Sequence, residues 1–217
     1  MTEVNGLQVI IDVERTMRFG WSPRDLAAAC LDGGARLLQI RAKETPSASF
    51  LMICDDIVRV SDTYDAKVIV NDRVDLALMC GAAGVHLGQE DLSPTVARKQ
   101  LGKDPLIGLS THSPVQVELA LQAPIDYVAI GPVFETSTKP TSYKPLGLKG
   151  VHLAAKKVQK SKLPLVAIGG ISLEKARGVL ESGADAVAVI SDIFVGNDPA
   201  DQVRKYLDLF RPSPLPR

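Results

Sequence analysis

Lys67-Val68-Ile69-Val70-Asn71-Asp72-Arg73-Val74-Asp75-Leu76-Ala77-Leu78-Met79-Cys80-Gly81-Ala82-Ala83-Gly84-Val85-His86-Leu87-Gly88-Gln89-Glu90-Asp91 is the stretch that decides the fold. An apolar run, Val68 to Val70, ends in Asn71-Asp72. A short helical pattern, Val74 to Cys80, closes at Gly81. A second apolar run, Gly84 to Leu87, leads to Gly88-Gln89-Glu90-Asp91. This is a strand–helix–strand unit in which each strand finishes on a carboxylate. Parallel strands joined in this way lie ~4.8 Å apart, so Asp72 and Asp91 belong at one end of one sheet. Acids at strand ends often do no more than cap the helices that follow. Two in succession, with Asn71 beside one of them, favour a shared hard cation. Mg²⁺ suits that arrangement, because it takes one or two carboxylates and completes its shell with water and substrate phosphate.

Outward from this unit, the same pattern recurs eight times along 217 residues. Strands are expected at Leu7–Asp12, Arg36–Ala42, the two runs above, Leu106–Leu109, Asp126–Ile130, Leu165–Ile168 and Ala186–Ile190. Helices are expected near Pro23–Asp32, Ser47–Thr63, Val74–Cys80, Ser93–Leu101, from Ser113-Pro114, Leu148–Gln159, Ser172–Ser182 and Pro199–Phe210. Ser22-Pro23, Ser93-Pro94 and Ser113-Pro114 are helix starts, with serine as N-cap and proline at the first helical position. The segment holding Trp21 is expected to be a loop. Near-continuous apolar strands alternating with helices imply a parallel sheet covered on both faces. Eight units in this length favour a closed α/β barrel of the (β/α)₈ type over an open doubly wound sheet. No Gly-x-Gly-x-x-Gly follows the first strand to support the open sheet. The barrel is expected over residues 1–210, with a proline-rich tail at 211–217 that does not hold a helix.

The bulk composition narrows the function. Twenty-five basic and 25 acidic residues give a formal net charge of zero, and no basic stripe marks a nucleic-acid surface. No apolar run nears the ~20 residues of a membrane helix, and the N-terminus lacks a signal-peptide pattern. Cys30, Cys54 and Cys80 fit neither a disulfide framework nor a zinc spacing. They are expected to be small buried side chains in a reducing cytoplasm. A homo-oligomeric assembly is left open.

In a (β/α)₈ barrel the chemistry sits at the carboxyl ends of the strands. Side chains alternate, so Gln39, Arg41 and Lys43 share the inner face and Leu38, Ile40 and Ala42 the outer one. Arg and Lys inside a barrel mouth need an anion or an acid. A diphosphate matches their fork and point charge, and an ion pair with Asp72 or another barrel acid is the alternative. Ser110 can donate to a phosphate or ring nitrogen, or cap locally. His112 can be an acid or base, but packing is the more ordinary role. His86, within an apolar strand, is expected to be structural, and His152 lies in a late helix away from the mouth. Pro132 to Pro145 is the longest connection, and Thr136, Thr138 and Lys139 offer it hydroxyls and a cation. Gly169-Gly170 and Ile190-Ser191 follow the seventh and eighth strands, where such barrels cradle phosphate on main-chain N–H groups. One mouth thus offers a metal pair, a diphosphate grip and a separate phosphate cradle, which implies two phosphorylated ends.

These residues resemble the thiamine-phosphate synthase (thiamine-phosphate pyrophosphorylase) family, from about Leu7 to Phe210. The resemblance rests on Gln39-Ile40-Arg41-Ala42-Lys43, Val70-Asn71-Asp72-Arg73-Val74-Asp75, His86-Leu87-Gly88-Gln89-Glu90-Asp91, Gly131-Pro132-Val133-Phe134 with Thr136-Ser137-Thr138-Lys139, and Ile168-Gly169-Gly170-Ile171. It implies a transferase that joins hydroxymethylpyrimidine diphosphate to a thiazole phosphate, carboxylated or not. The products are thiamine phosphate and pyrophosphate, through a Mg²⁺-assisted dissociative step. It further implies that Gln39, Ile40, Arg41, Ala42, Lys43 and Asn71 hold the pyrimidine diphosphate and that Asp72 and Asp91 hold Mg²⁺. Ser110 would bond the pyrimidine or its pyrophosphate, and Lys139 the diphosphate. Thr136, Ser137 and Thr138 would bind the thiazole, with Gly170, Ile190 and Ser191 around its phosphate. Glu135 stands where the family more often has proline. Pro140, Lys144 and Pro145 also depart from the family's loop, and the first strand's ending, Ile11-Asp12-Val13-Glu14, is less typical. The alternatives are a thiazole tautomerase using a histidine near Ser110-Thr111-His112, and a non-catalytic phosphate-ligand sensor. The tautomerase has no need of Asp72 with Asp91 or of Thr138-Lys139, and the sensor would be expected to lack at least one carboxylate or Arg41 and Lys43; all are present.

Overall fold

The computed structural model describes residues 4–136, 138 and 142–211. The strands are β1 (Gly6–Asp12), β2 (Leu37–Arg41), β3 (Lys67–Asn71), β4 (Gly84–Leu87), β5 (Leu106–Thr111), β6 (Tyr127–Ile130), β7 (Leu165–Ile168) and β8 (Ala186–Val189). Each pairs in parallel with the next, and β1 pairs with β8 to close the barrel. The helices are α1 (Val13–Arg18), α2 (Pro23–Asp32), α3 (Ser47–Asp62), α4 (Val74–Met79), α5 (Pro94–Leu101), α6 (Pro114–Ala120), α7 (Gly147–Val158), α8 (Leu173–Glu181) and α9 (Pro199–Asp208).

The alternation of each strand divides the core in two. Leu38, Ile40, Val68, Val70, Val85 and Leu87 face outward and are buried under the helices. Ile10, Leu37, Ile69, Leu106, Tyr127 and Val166 face inward and fill the barrel. Gly108 is glycine because the Tyr127 ring crosses its face: a Cβ there would lie 2.0 Å from a ring carbon. Fully burying one such side chain stabilises by roughly 1.5–3 kcal/mol, so this double layer dominates the fold's stability. Above it the inward residues turn polar, and that change of composition marks the floor of the mouth.

The serine–proline starts behave as expected. Ser22, Ser93 and Ser113 accept hydrogen bonds from the main-chain N–H groups of Asp25, Val96 and Gln116 at 3.0, 3.4 and 3.2 Å. Three local expectations differ from the structure. The segment after β1 opens with helix α1 rather than plain loop, because the Asp12 side chain accepts from Arg15 N at 3.1 Å and caps it. Strand β5 runs on to Thr111, since Ser110 and Thr111 remain paired with Ala129 and Ile130 of β6. After β8 the chain enters a kinked 3-10 segment, Ser191–Asn197, before α9. The tail beyond Arg211 lies outside the described residues, as do Ser137 and Lys139. Among the described residues no helix is long and apolar enough to cross a membrane.

Candidate active site

Strand β2 delivers its polar row into the mouth. Gln39 is buried inside the barrel, and Arg41 lines the same inner cavity. Ile40 is fully buried on the opposite face, and Ala42 packs against that outer cluster. Their side chains therefore do not reach the mouth, and any part they take in binding falls to their main chain. Arg41 pairs with Asp12 of β1, the two side chains being 14% and 7% exposed. Lys43 pairs with Asp72 at the end of β3. Arg41 and Lys43 are thus each matched by an acid already in the barrel. The ion-pair alternative holds for both, and it leaves their charges at the mouth.

Asp72 and Asp91 lie together. Asp72 follows β3 with a φ of 64°, a left-handed conformation that Asp and Asn tolerate better than other side-chain-bearing residues. Its N–H is held by the His86 carbonyl at 2.8 Å. Asp91 accepts from the Gly88 N–H at 2.7 Å through Oδ2. Neither acid caps the helix after it. Arg73 occupies the N-cap position of α4 without a side-chain bond, and Ser93 caps α5. Burial, and then the neighbouring Asp72 carboxylate, raise the Asp91 carboxyl above its ordinary range. Two like charges held this close destabilise each other, and a divalent cation between them would remove the repulsion. Among the described residues no cluster of three or more protein ligands forms. Two carboxylates could hold a Mg²⁺ that completes its shell with water and phosphate, whereas a closed zinc or calcium site would need more protein ligands.

Next to the acids, Asn71 and His86 are register partners across β3 and β4. His86 places Nδ1 2.9 Å from the Tyr127 hydroxyl and Nε2 2.8 Å from Ser110 Oγ. Gln89 donates from Nε2 to the Ser110 carbonyl at 2.6 Å. Ser110 is therefore fixed from two sides, and its hydroxyl faces the barrel interior with Gln39 and Asn71. His112 hydrogen-bonds through Nδ1 to the Gly131 carbonyl at 2.6 Å and stacks on Tyr143 at 3.8 Å between ring centroids. His112 is thus packed on two sides, yet it is only half-buried and lines the mouth cavity. Lys43, Asn71, Asp72, Asp91, Ser110, Thr136, Thr138 and Ile190 line one cavity of about 420 Å³.

A second cavity, about 250 Å³, adjoins it over the ends of β7 and β8 and is lined by Thr136, Thr138, Gly169, Gly170, Ile190 and Ser191, among others. Gly170 has a φ of 64°, and a Cβ on it would lie 2.3 Å from the Glu135 carbonyl oxygen. Glycine is needed there to bring two loops together. The Thr138 and Ser191 hydroxyls are 2.7 Å apart and tie the long loop to the end of β8. Gly169, Gly170, Ile190 and Ser191 are thus brought together in one place.

Sequence reasoning missed three residues. Asp12 both caps α1 and pairs with Arg41, which ties β1 to β2. It is a strand-end acid of the same kind as Asp72, and that was the available signal. Glu14 accepts through Oε1 from Lys43 N, Glu44 N and Thr45 Oγ1 at 3.0, 2.9 and 3.0 Å. Burial opposes its ionisation, but these donors win and hold its carboxyl below the ordinary value. His86 is structural, as expected, but it points inward and positions Ser110. Its pairing with Asn71 on the inner face was the clue. His152 lines a cavity of about 870 Å³ among Asp126, Pro164 and Asp185, next to the amino ends of β6, β7 and β8 and away from the mouth.

The family model described as thiamine monophosphate synthase matches residues 9–193. A thiamine-phosphate synthase of Caldicellulosiruptor saccharolyticus is 38% identical over 192 residues, covering 88% of this chain and 86% of that one. One from Chlorobium phaeobacteroides is 40% identical over 190 residues, covering 88% and 91%. Among solved structures, a thiamine phosphate pyrophosphorylase from Pyrococcus furiosus superposes with a TM-score of 0.82 at 33% identity, covering 94% of each chain.

Proposed function

Because the chain belongs to the thiamine monophosphate synthase family, we propose that the β2–β4 side of its mouth holds the pyrimidine diphosphate with Mg²⁺, and that the β6–β8 side holds the thiazole phosphate. The activity is that of a thiamine-phosphate synthase, a transferase. It moves the pyrimidine methylene from the diphosphate oxygen to the thiazole nitrogen. The C–O bond breaks, pyrophosphate leaves with the electron pair, and the ring nitrogen's lone pair forms the new C–N bond. No strong base is required, which suits a mouth rich in cations and acids and, among the described residues, without a Ser–His–Asp arrangement.

The single observation that carries the division is the Asp72–Asp91 pair, two carboxylates side by side that cap no helix. Asp72 and Asp91 would hold Mg²⁺, whose contribution would be Lewis-acid stabilisation of the departing diphosphate. Arg41 and Lys43 exchange Asp12 and Asp72 for diphosphate oxygens and steady the charge that develops as the bond breaks. Removing one such donor commonly lowers turnover by ~10²–10³-fold. Asn71 and Ser110 orient the pyrimidine, with Ser110 held by His86 and Gln89. Lys139, outside the described residues, would add a further cation from the loop. Thr136 and Thr138, with Ser137 between them, would contact the thiazole. Main-chain groups around Gly170, Ile190 and Ser191 would receive its phosphate. The three cysteines are unpaired thiols, which is compatible with a reducing cytoplasm.

The test is pyrophosphate release from hydroxymethylpyrimidine diphosphate and thiazole phosphate, first with Mg²⁺ and then with EDTA. Release should need both substrates and the metal. Release undiminished by EDTA would remove the metal from the account while leaving the transferase standing.

A further inference from the structure

The cavity over β7 and β8 contains a cation that neither the strand-end pattern nor the resemblance points to. Arg15, on α1, lines it beside Gly169, Gly170 and Ser191. Among the described residues lining that cavity, Arg15 is the one lysine or arginine. Its Nε is buried and, among the described residues, has no hydrogen-bond partner. Among the described residues no carboxylate lies within ion-pair distance of it. The nearby acid Asp192 is otherwise engaged: its Oδ2 accepts from Leu173 N, Gln202 Nε2 and the Tyr206 hydroxyl at 3.1, 2.9 and 2.6 Å. Glu135, the other acid of the lining, is exposed at the rim.

The guanidinium is also held in place. Its Cζ lies 5.8 Å from the centre of the Phe19 ring. Phe19 in turn stacks on Phe194 of the 3-10 segment, with centroids 4.2 Å apart and planes 8° apart. An aromatic platform thus links α1 to the chain after β8. A buried donor left without an acceptor is costly, whereas arginine beside a phosphate makes charge-assisted bonds that neutral main-chain donors cannot match.

We propose that Arg15 is a specificity residue for the acceptor: its guanidinium pairs with the phosphate of the thiazole substrate and supplies the charge that the main-chain cradle lacks. This rests on the reading that the β7–β8 end receives the thiazole phosphate. The main-chain cradle would hold the phosphate group by its shape and dipoles. Arg15 would set how strongly the enzyme prefers a phosphorylated thiazole over its alcohol.

The experiment compares kcat/KM for thiazole phosphate and for hydroxyethylthiazole, at saturating pyrimidine diphosphate and Mg²⁺, in wild type, Arg15→Gln, Arg15→Lys and Ser191→Ala. Arg15→Gln should lower kcat/KM for the phosphate by roughly 10–100-fold. It should leave the alcohol's value and the KM for pyrimidine diphosphate unchanged, and Arg15→Lys should recover part of the loss. Equal losses with phosphate and alcohol would assign Arg15 a merely structural role and overturn the inference. A lowered preference in Ser191→Ala with none in Arg15→Gln would overturn the inference and keep the cradle. No change in preference in either variant would overturn both.

Discussion

Asp12 is bonded through both of its carboxylate oxygens: Oδ1 receives the Arg15 N–H that starts α1, and Oδ2 pairs with Arg41. Removing one member of a buried ion pair costs about 3–5 kcal/mol, because the other is left uncompensated. Asp12→Ala should therefore lower the thermal midpoint clearly and also weaken pyrimidine diphosphate use, through a displaced Arg41. Lys43 differs. It is half exposed, and its pair with Asp72 adds little stability. Lys43→Ala should leave the melting temperature nearly unchanged while lowering kcat/KM for the diphosphate by ~10²-fold. The two variants, measured by calorimetry and by pyrophosphate release, separate a residue that builds the mouth from one that works in it. His112, already bonded to Gly131 and stacked on Tyr143, should tolerate His112→Ala with condensation largely intact; abolition would point instead to chemistry centred on that histidine.

The strands and the serine–proline helix starts were legible in the sequence because their signals are local: apolar periodicity, β-branched runs and capping residues. Helix α1 was not, since Val13–Arg18 spans only 6 residues, owes its start to Asp12, and is followed by a Phe19 that stacks on Phe194, far along the chain. The 3-10 segment after β8 escaped for the same reason. In the site, the inward set Gln39, Arg41 and Lys43 followed from alternation alone. The partners of those residues did not, because register across strands decides which acid meets which base. Glu14 is a case in point. From the end of β1 it gathers three donors from the segment after β2, and they hold its carboxyl below the ordinary value despite burial. A group with a depressed folded pKa contributes stability above its unfolded value, roughly 4.3, and that contribution is lost as pH falls through its lower folded value. Wild type should therefore lose stability relative to Glu14→Gln on acidification below about pH 4. Parallel melting curves across that window check the sign. On the β7–β8 side of the same mouth, Gly170→Ala would force a side chain to within 2.3 Å of the Glu135 carbonyl at a φ of 64°. It should raise the KM for thiazole phosphate far more than that for the diphosphate.

Across the whole molecule, the barrel brings together two sets of residues distant in sequence. β2, β3 and β4 contribute cations and paired acids; the β6–β8 loops contribute hydroxyls, glycines and a shaped recess. On the function proposed above, the first set would draw a diphosphate leaving group away while the second would hold the incoming ring nitrogen on a phosphate tether. The account depends most on the paired acids. The direct test is Mg²⁺ binding by calorimetry in the presence of pyrophosphate, for wild type, Asp72→Asn and Asp91→Asn. Asparagine is the right replacement at Asp72, because it also tolerates the left-handed backbone there. The account predicts saturable one-site binding in wild type and a loss of affinity of at least tenfold in each variant, about 1.4 kcal/mol. Unchanged Mg²⁺ affinity in both variants would contradict it.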